Sequence, residues 1–490
     1  MNKALFSVIA LSVLLVQSGC YKMRKSAGGG QIKTIPARTV NAGDIALPPG
    51  YKIEMVAQGL TFPSAAAFDN KGDLYVIETG YSYGEVWQYP KLLRINPGGG
   101  TTTIATGEKN GPWTGLYYHG GNFYVSEGGQ AEGGKILKIT PEGKISTLVA
   151  DLPSIGDHHT DALVIKDGYI YFGQGTATNS GVVGPDNADY GWLKRHKDFH
   201  DIPCKDITLI GQNYTSDNVL TDDPNDQVTT GAFLPFGTAS TPGQVIKGKV
   251  PCNGSIMRIP LAGGKPEMVA WGFRNPYGLA VSPEGTLYVA ENGYDDRGSR
   301  PVWGAADVLY EVVPGKWYGW PDFSAGDNMS ASPKKESEEY EAPGKGEVLP
   351  VIKDYPNIPP RPAAVFGVHS SSNGLDFSTS DAFGHKGELF AAQFGDMAPT
   401  VGKVLAPVGF KVVRVNTRNG VIHDFAVNRS KKNGPASWVG GSGLERPLSV
   451  KFTPDGSALY VVDFGILKMT KEGPEPQTGT GVIWKITRTN

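Results

Sequence analysis

Two adjacent histidines, His158 and His159, stand between two carboxylates, Asp157 and Asp161, in the stretch G-D-H-H-T-D-A-L. A neutral imidazole beside a carboxylate is suited to take a proton near physiological pH. A lone histidine is more often a satisfied structural residue, but this pairing occurs at one place in the chain. If the stretch is extended, the two rings point to opposite sides and only one can face a pocket. A second constellation is W-G-F-R-N-P-Y-G-L, Trp271 to Leu279. Arg274 carries a permanent charge and a fork of donors that suits a carboxylate or carbonyl ligand. Pro276 holds Asn275 extended. The same arginine also reads as the partner of a scaffold carboxylate. The turn E-N-G-Y-D-D-R-G, Glu291 to Gly298, exposes backbone carbonyls beside acidic residues, an arrangement open to calcium although its spacing matches no EF-hand loop.

These residues lie far apart in sequence, so a scaffold must gather them. A repeat supplies it. Phe62 to Gly80, Trp113 to Gly129, the histidine stretch Gly156 to Thr176, Asn275 to Gly293, Ser371 to Gly395 and Arg446 to Gly465 share one pattern. Each is a small or apolar strand, a glycine turn and an L-Y-V-like strand, and each is followed by a further hairpin. Two hairpins make a four-stranded sheet, and six sheets around an axis make an all-β, six-bladed β-propeller. The last strand, Gly481 to Ile486, lacks a return partner, and Tyr51 to Leu60 is a lone strand before the first repeat. Pairing them closes the ring and protects both edges. A β-sandwich is the alternative fold. The loops that enter the innermost strands converge on one face of the axis, which brings His158, Arg274, His369 and Arg446 together. Two insertions break the pattern, Thr178 to Val250 and Ala325 to Val348. The first can cover the axial mouth; the second, with its K-K-E-S-E-E-Y-E run, reads as a solvated loop.

The chain of 490 residues has a net charge of −2, which points away from nucleic acid and anionic membrane surfaces. Its 66 glycines and 36 prolines fit a protein built of short strands and turns. Lys3, the apolar run Ala4 to Val16 and Ser18-Gly19-Cys20 read as a lipoprotein-type signal over residues 1–19. Cys20 is then the lipidated N-terminus of a flexible tether to Leu47, and the propeller occupies 48–490. The expected location is the outer membrane, periplasmic or cell-surface, or otherwise the periplasm, with the membrane touched only through the anchor. Of three cysteines this leaves Cys204 and Cys252, an even pair in a disulfide-permitting compartment.

The ordered set G-D-H-H-T-D-A-L, W-G-F-R-N-P-Y-G-L, E-N-G-Y and P-G-K-W-Y-G-W-P resembles the glucose/sorbosone dehydrogenases, soluble quinoprotein sugar dehydrogenases that use pyrroloquinoline quinone (PQQ) and calcium. The resemblance runs from about Leu47 to Ile486. It implies that His158 is the base for a sugar hydroxyl and that Arg274 polarises the quinone carbonyl, with Asn275 beside the cofactor. It further implies that the carbonyls of Gly293 and Tyr294 hold calcium and that Arg446 begins a cofactor clamp. The sequence departs from the pattern at three places. Leu448 stands at the clamp's second arginine, Gly395 at a cofactor-binding lysine, and Thr176 at an aspartate that supports the base. Loss of two cations weakens the hold on a tricarboxylate; His369 or Lys403 is a candidate substitute. The implied partners are a sugar, polyol or aldehyde substrate and, since no C-x-x-C-H haem motif is present, an external electron acceptor. Two other readings stay open: a metal-dependent lactonase-like hydrolase, and a catalytically inactive propeller that binds glycans or proteins.

Overall fold

The innermost strand of every repeat carries a small residue ahead of an apolar one: Ala65, Gly115, Ala162, Gly278, Gly374 and Ser449. In the computed structural model the reason is a close approach between neighbouring sheets. A Cβ at Gly278 would lie 1.9 Å from the carbonyl oxygen of Asn373, one at Gly374 would lie 2.5 Å from Cα of Ser449, and one at Gly115 would lie 2.8 Å from the amide nitrogen of Leu163. Only small residues let these backbones cross. The structure describes residues 37–80, 88–129, 132–330, 348–402, 404–470 and 473–489.

Six four-stranded antiparallel sheets result, and the expected six-bladed propeller is the observed fold. The innermost strands are Pro63–Phe68, Trp113–His119, Thr160–Lys166, Asn275–Val281, Ser372–Phe377 and Pro447–Phe452. They line a narrow axial channel of about 110 Å³. Each pairs with the next strand of its blade through a register shift at its entry, between Pro63 and Ala65 in the first blade and Pro447 and Ser449 in the last. A bulge re-aims the extra residue and sharpens the twist. At these bulges sit Ser64, Thr114, Asp161, Tyr277, Asn373 and Leu448.

Closure follows the expected pairing. Tyr51–Leu60 runs antiparallel to Gly481–Arg488, from Tyr51 opposite Arg488 to Leu60 opposite Gly481. The folded chain starts earlier than a tether to Leu47 allows. Ile45 pairs with Asn428 at the edge of the fifth blade, and Arg38 Nη2 lies 2.6 Å from Asp463 Oδ2 with both side chains buried. Asp463 also accepts from the amides of Glu445 and Arg446 and from Trp484 Nε1. A buried carboxylate needs a cation, and among the described residues Arg38 is its ion-pair partner.

The first insertion lies between Tyr169–Gln174 and Ser255–Pro260, inside the third blade. It shares a core with its own and the following blade, with Val182, Phe233 and Ile207 in one cluster with Trp271, Trp317 and Trp320. Cys204 and Cys252 form the expected disulfide, with Cα atoms 5.0 Å apart. In a chain-entropy picture a loop of this size is worth about 4 kcal/mol. Residues 1–36, on which the expected signal and Cys20 fall, the run from 331 to 347, and Lys403 lie outside the described residues. No helix among the described residues is long and apolar enough to cross a membrane.

Arg38→Ala is expected to lower the unfolding free energy by about 3 kcal/mol, because it strands a buried carboxylate that keeps only its amide and indole donors. Urea unfolding followed by tryptophan fluorescence checks this.

Candidate active site

The entry loops of the blades converge on a cavity of about 740 Å³. His158, His159, Arg274, Asn275, Gly293 and His369 all line it, as do the bulge residues Thr114, Tyr277, Asn373 and Leu448. Both histidines reach the cavity, contrary to the expectation for an extended segment. The physical reason is that His158 and His159 precede the strand, which begins at Thr160, so strand alternation does not apply to them.

The bonds around His158 fix its tautomer. Its Nδ1 lies 3.1 Å from the carbonyl oxygen of Thr176 and 3.0 Å from Thr176 Oγ1. That hydroxyl donates its own hydrogen to the carbonyl of Thr178 at 2.7 Å, so it can only accept from the ring. The hydrogen therefore sits on Nδ1, and Nε2 carries a lone pair. Burial, reinforced by the Arg274 and Arg297 guanidinium groups, holds the imidazole well below its ordinary range. The ring is neutral at working pH. His159 is paired differently, with Nδ1 3.3 Å from the buried Asp161.

Arg274 is both a cavity residue and the partner of a scaffold carboxylate. Its Nη2 lies 2.7 Å from Asp295 Oδ2, Asn179 Oδ1 accepts from Nε and Nη2, and Nη1 donates to the Gly293 carbonyl at 2.6 Å. Arg297 is a second hub. It reaches Asp157 at 2.9 Å, Asp186 at 2.7 Å and Asp295 at 3.1 Å. Burial alone would raise Asp295, but the two arginines outweigh it and hold that carboxyl below its usual range. Asp157 stays raised, at about 6, because burial outweighs the pull of Arg297. His369 adopts a left-handed backbone at φ 60° and Ser371 another at 48°. Such conformations in non-glycine residues are costly and gather at functional sites. His369 Nδ1 lies 3.8 Å from Asp295 Oδ1.

Arg446 sits apart from the cavity lining. Its guanidinium is buried between the rings of Phe394 and Phe410, and Nη1 is shared among the carbonyls of Phe394, Gly395 and Asp396. Leu448 packs with Phe62, Phe394, Phe464 and Leu467. Gly395 has φ 93°, and a Cβ there would lie 2.4 Å from the Phe410 ring. Apolar packing thus fills both positions at which the family pattern has a cation. Tyr294 is buried, and its hydroxyl donates to the carbonyl of Phe323 at 2.9 Å.

Sequence reasoning missed Arg297, Asp295 and Asn179. The first two lie in E-N-G-Y-D-D-R-G, a turn read for its carbonyls and not for its side chains. Asn179, in the first insertion, carries no local signal.

A family model described as Glucose / Sorbosone dehydrogenase matches residues 240–358, the segment that holds Arg274, Asn275, Gly293 and Tyr294. No curated protein matches the chain. Among solved structures, the holo form of the pyranose dehydrogenase PQQ domain from Coprinopsis cinerea is similar at 14% identity, over 92% of this chain and 98% of that one, with a TM-score of 0.56. A calcium structure of a Trichoderma reesei carbohydrate-active enzyme of family AA12 is similar at 15% identity, over 93% and 99%, with a TM-score of 0.54. A putative oxidoreductase (glucose dehydrogenase) of Thermus thermophilus is similar at 16% identity, over 89% and 100%, with a TM-score of 0.50. At these identities the likeness is one of fold.

Arg297→Met is expected to cost about 3–5 kcal/mol at pH 8, since it leaves carboxylates buried without their cation. Carboxyls whose folded pKa exceeds the unfolded value bind protons on folding, so stability falls as pH rises through that interval. The variant should recover most of its loss toward pH 5, and urea unfolding at the two pH values checks it.

Proposed function

We propose that this chain, which resembles the glucose/sorbosone dehydrogenases and matches their family model over residues 240–358, is an oxidoreductase acting on a sugar, polyol or aldehyde. The observation that carries the reading is the tautomer-locked, neutral His158 on the wall of a large cavity that also presents Arg274. A base must be unprotonated and aimed before it can take a hydroxyl proton. His158 meets both conditions through Nε2.

PQQ would supply the two-electron acceptor when bound, and the residues present fit a quinone. Arg274 makes no further hydrogen bond with its second Nη1 hydrogen among the described residues, which leaves a donor for a quinone oxygen. Asn275 Oδ1 and Asn373 Oδ1 are buried without a hydrogen-bond partner and wait for a donor from a ligand. The amide of Asn275 cannot be turned round: its Nδ2 donates to Asn292 Oδ1, whose own Nδ2 donates to the carbonyl of Ser372. Phe394, Leu448 and Phe464 give a ring system an apolar wall. Calcium does not fit as the donors stand. The Gly293 carbonyl already accepts from Arg274, so a cation beside it would face a guanidinium.

In this reading the chain's own residues bind, orient and deprotonate. Arg274 is held by Asp295 and Asn179, so its charge stays fixed while a ligand enters. His158 takes the proton at Nε2, and its Nδ1 hydrogen stays on Thr176. The signal-like start and Cys20 support an exported, lipid-anchored protein that passes electrons to an external acceptor. Palmitate labelling lost in Cys20→Ser tests that part. The packing at Leu448 and Gly395 favours a second reading, a binding propeller that has given up the cofactor.

The apo-protein titrated with PQQ, with and without a chelator, separates the two. The expected result is saturable binding that survives chelation and supports aldose-dependent dye reduction. His158→Ala should lower kcat by about 10²–10⁴-fold and leave PQQ binding intact. Leu448→Arg should tighten binding at least tenfold by restoring a cation to the apolar wall. No binding by either form would leave the binding-propeller reading.

A further inference from the structure

The first insertion does more than cover the cavity. Asp201 comes from it and is 1% exposed. One oxygen accepts from the Ala177 amide at 2.6 Å and the other from Thr178 Oγ1 at 2.5 Å. Thr178 in turn accepts from Thr176 Oγ1 through its carbonyl, and Thr176 receives the His158 Nδ1 hydrogen. Two of these residues also hold the histidine loop by its backbone: the Asp157 amide donates to the Ala177 carbonyl and the His158 amide to the Thr176 carbonyl, both at 3.0 Å. Gly175 packs so tightly that a Cβ on it would lie 2.2 Å from His158 Cβ.

Asp201 is itself anchored. Ile202 exchanges hydrogen bonds with Asn253, whose Nδ2 donates to the carbonyls of Pro153 and Gly175. The Cys204–Cys252 disulfide closes the loop immediately beyond. The path from insertion to base is continuous and buried.

We propose that Asp201 is the positioning residue of the His158 base: from the first insertion it pins Thr176 to Thr178, and Thr176 locks the hydrogen on Nδ1. The inference rests on the reading of His158 as a base. It accounts for a departure in the sequence. At position 176 a threonine replaces the carboxylate of the family pattern, and the insertion returns a carboxylate two hydrogen bonds away. A threonine between acid and imidazole fixes the tautomer without placing a negative charge on the ring. Burial pushes the Asp201 carboxyl up to about 7, the cost of holding it in this position.

The test reads the two ring nitrogens of His158 directly, by ¹⁵N NMR of histidine-labelled protein, with His158→Gln for assignment. No cofactor or substrate is needed. The wild type is expected to show a protonated Nδ1 and an unprotonated Nε2. Asp201→Ala should mix the tautomers, and Asp201→Asn and Thr178→Val should do so if the alanine variant fails to fold. The rate under saturating substrate should fall roughly tenfold, a part of what a general base contributes. Thr176→Asp in the Asp201→Asn background should restore the Nδ1-protonated form. Folded Asp201 variants with unchanged His158 nitrogens would overturn the proposal, because a merely structural residue lowers stability and leaves the tautomer alone. If His158→Ala still oxidises substrate, the base reading falls, and the nitrogen signals still report whether Asp201 positions the ring.

Discussion

The fold rests on how closely six backbones can approach one axis. Where neighbouring innermost strands cross, three blades leave no room for a Cβ, at Gly115, Gly278 and Gly374, and the other three carry only Ala or Ser. Crowding at that point bends each strand, and the bend is taken up as a bulge one position earlier. Each bulge turns one extra side chain inward, and four of these, Thr114, Tyr277, Asn373 and Leu448, line the cavity. The packing of the axis therefore determines which sequence positions face a ligand. Closure by Tyr51–Leu60 keeps the ring from opening and holds the entry loops in register.

Charge at the cavity is arranged so that cations and carboxylates hold one another. Asp295 bridges Arg274 and Arg297 through one oxygen, and Arg297 gathers Asp157 and Asp186 as well. Such a network is expensive to break and adds little net stability, but it fixes positions. Its consequence for His158 is a trade. Burial, reinforced by two nearby cations, holds the ring well below its ordinary range, and the same surroundings weaken it as a proton acceptor. In the proposed role as a base, orientation would have to offset that loss, which gives the fixed tautomer more weight than the pKa.

Much of this was legible in the sequence because it is local or periodic. The glycine turns and L-Y-V-like strands repeat, the two unmatched end strands call for each other, and Cys204 and Cys252 stand out as an even pair. His158 and Arg274 stood out as residue types the repeat does not need. The rest depends on contacts that no spacing encodes. Arg297 finds Asp157 and Asp186 from 140 and 111 residues away in the sequence. Asp201 reaches the base through two threonines and a turn held by Asn253. Arg446 carries the family's residue, yet Phe394 and Phe410 sandwich it and backbone carbonyls occupy it. Arg38 looked like part of a tether because nothing in its neighbourhood announces the buried Asp463 it must neutralise.

The departures from the family pattern share one physical character. A lysine at 395 would need the space that the Phe410 ring fills, and Leu448 is packed among Phe62, Phe394 and Phe464. Neither is a bare deletion of a cation; each is the centre of a well-packed apolar patch. The cavity is consequently two-sided. One wall carries the carboxylate–arginine network and His158, and the other, with Phe394, Leu448 and Phe464, is apolar and uncharged. A ligand between them would meet a polar face at His158 and an apolar one at Phe464. An apolar wall cannot grip a carboxylate, but it excludes water from that side and strengthens every polar contact on the other.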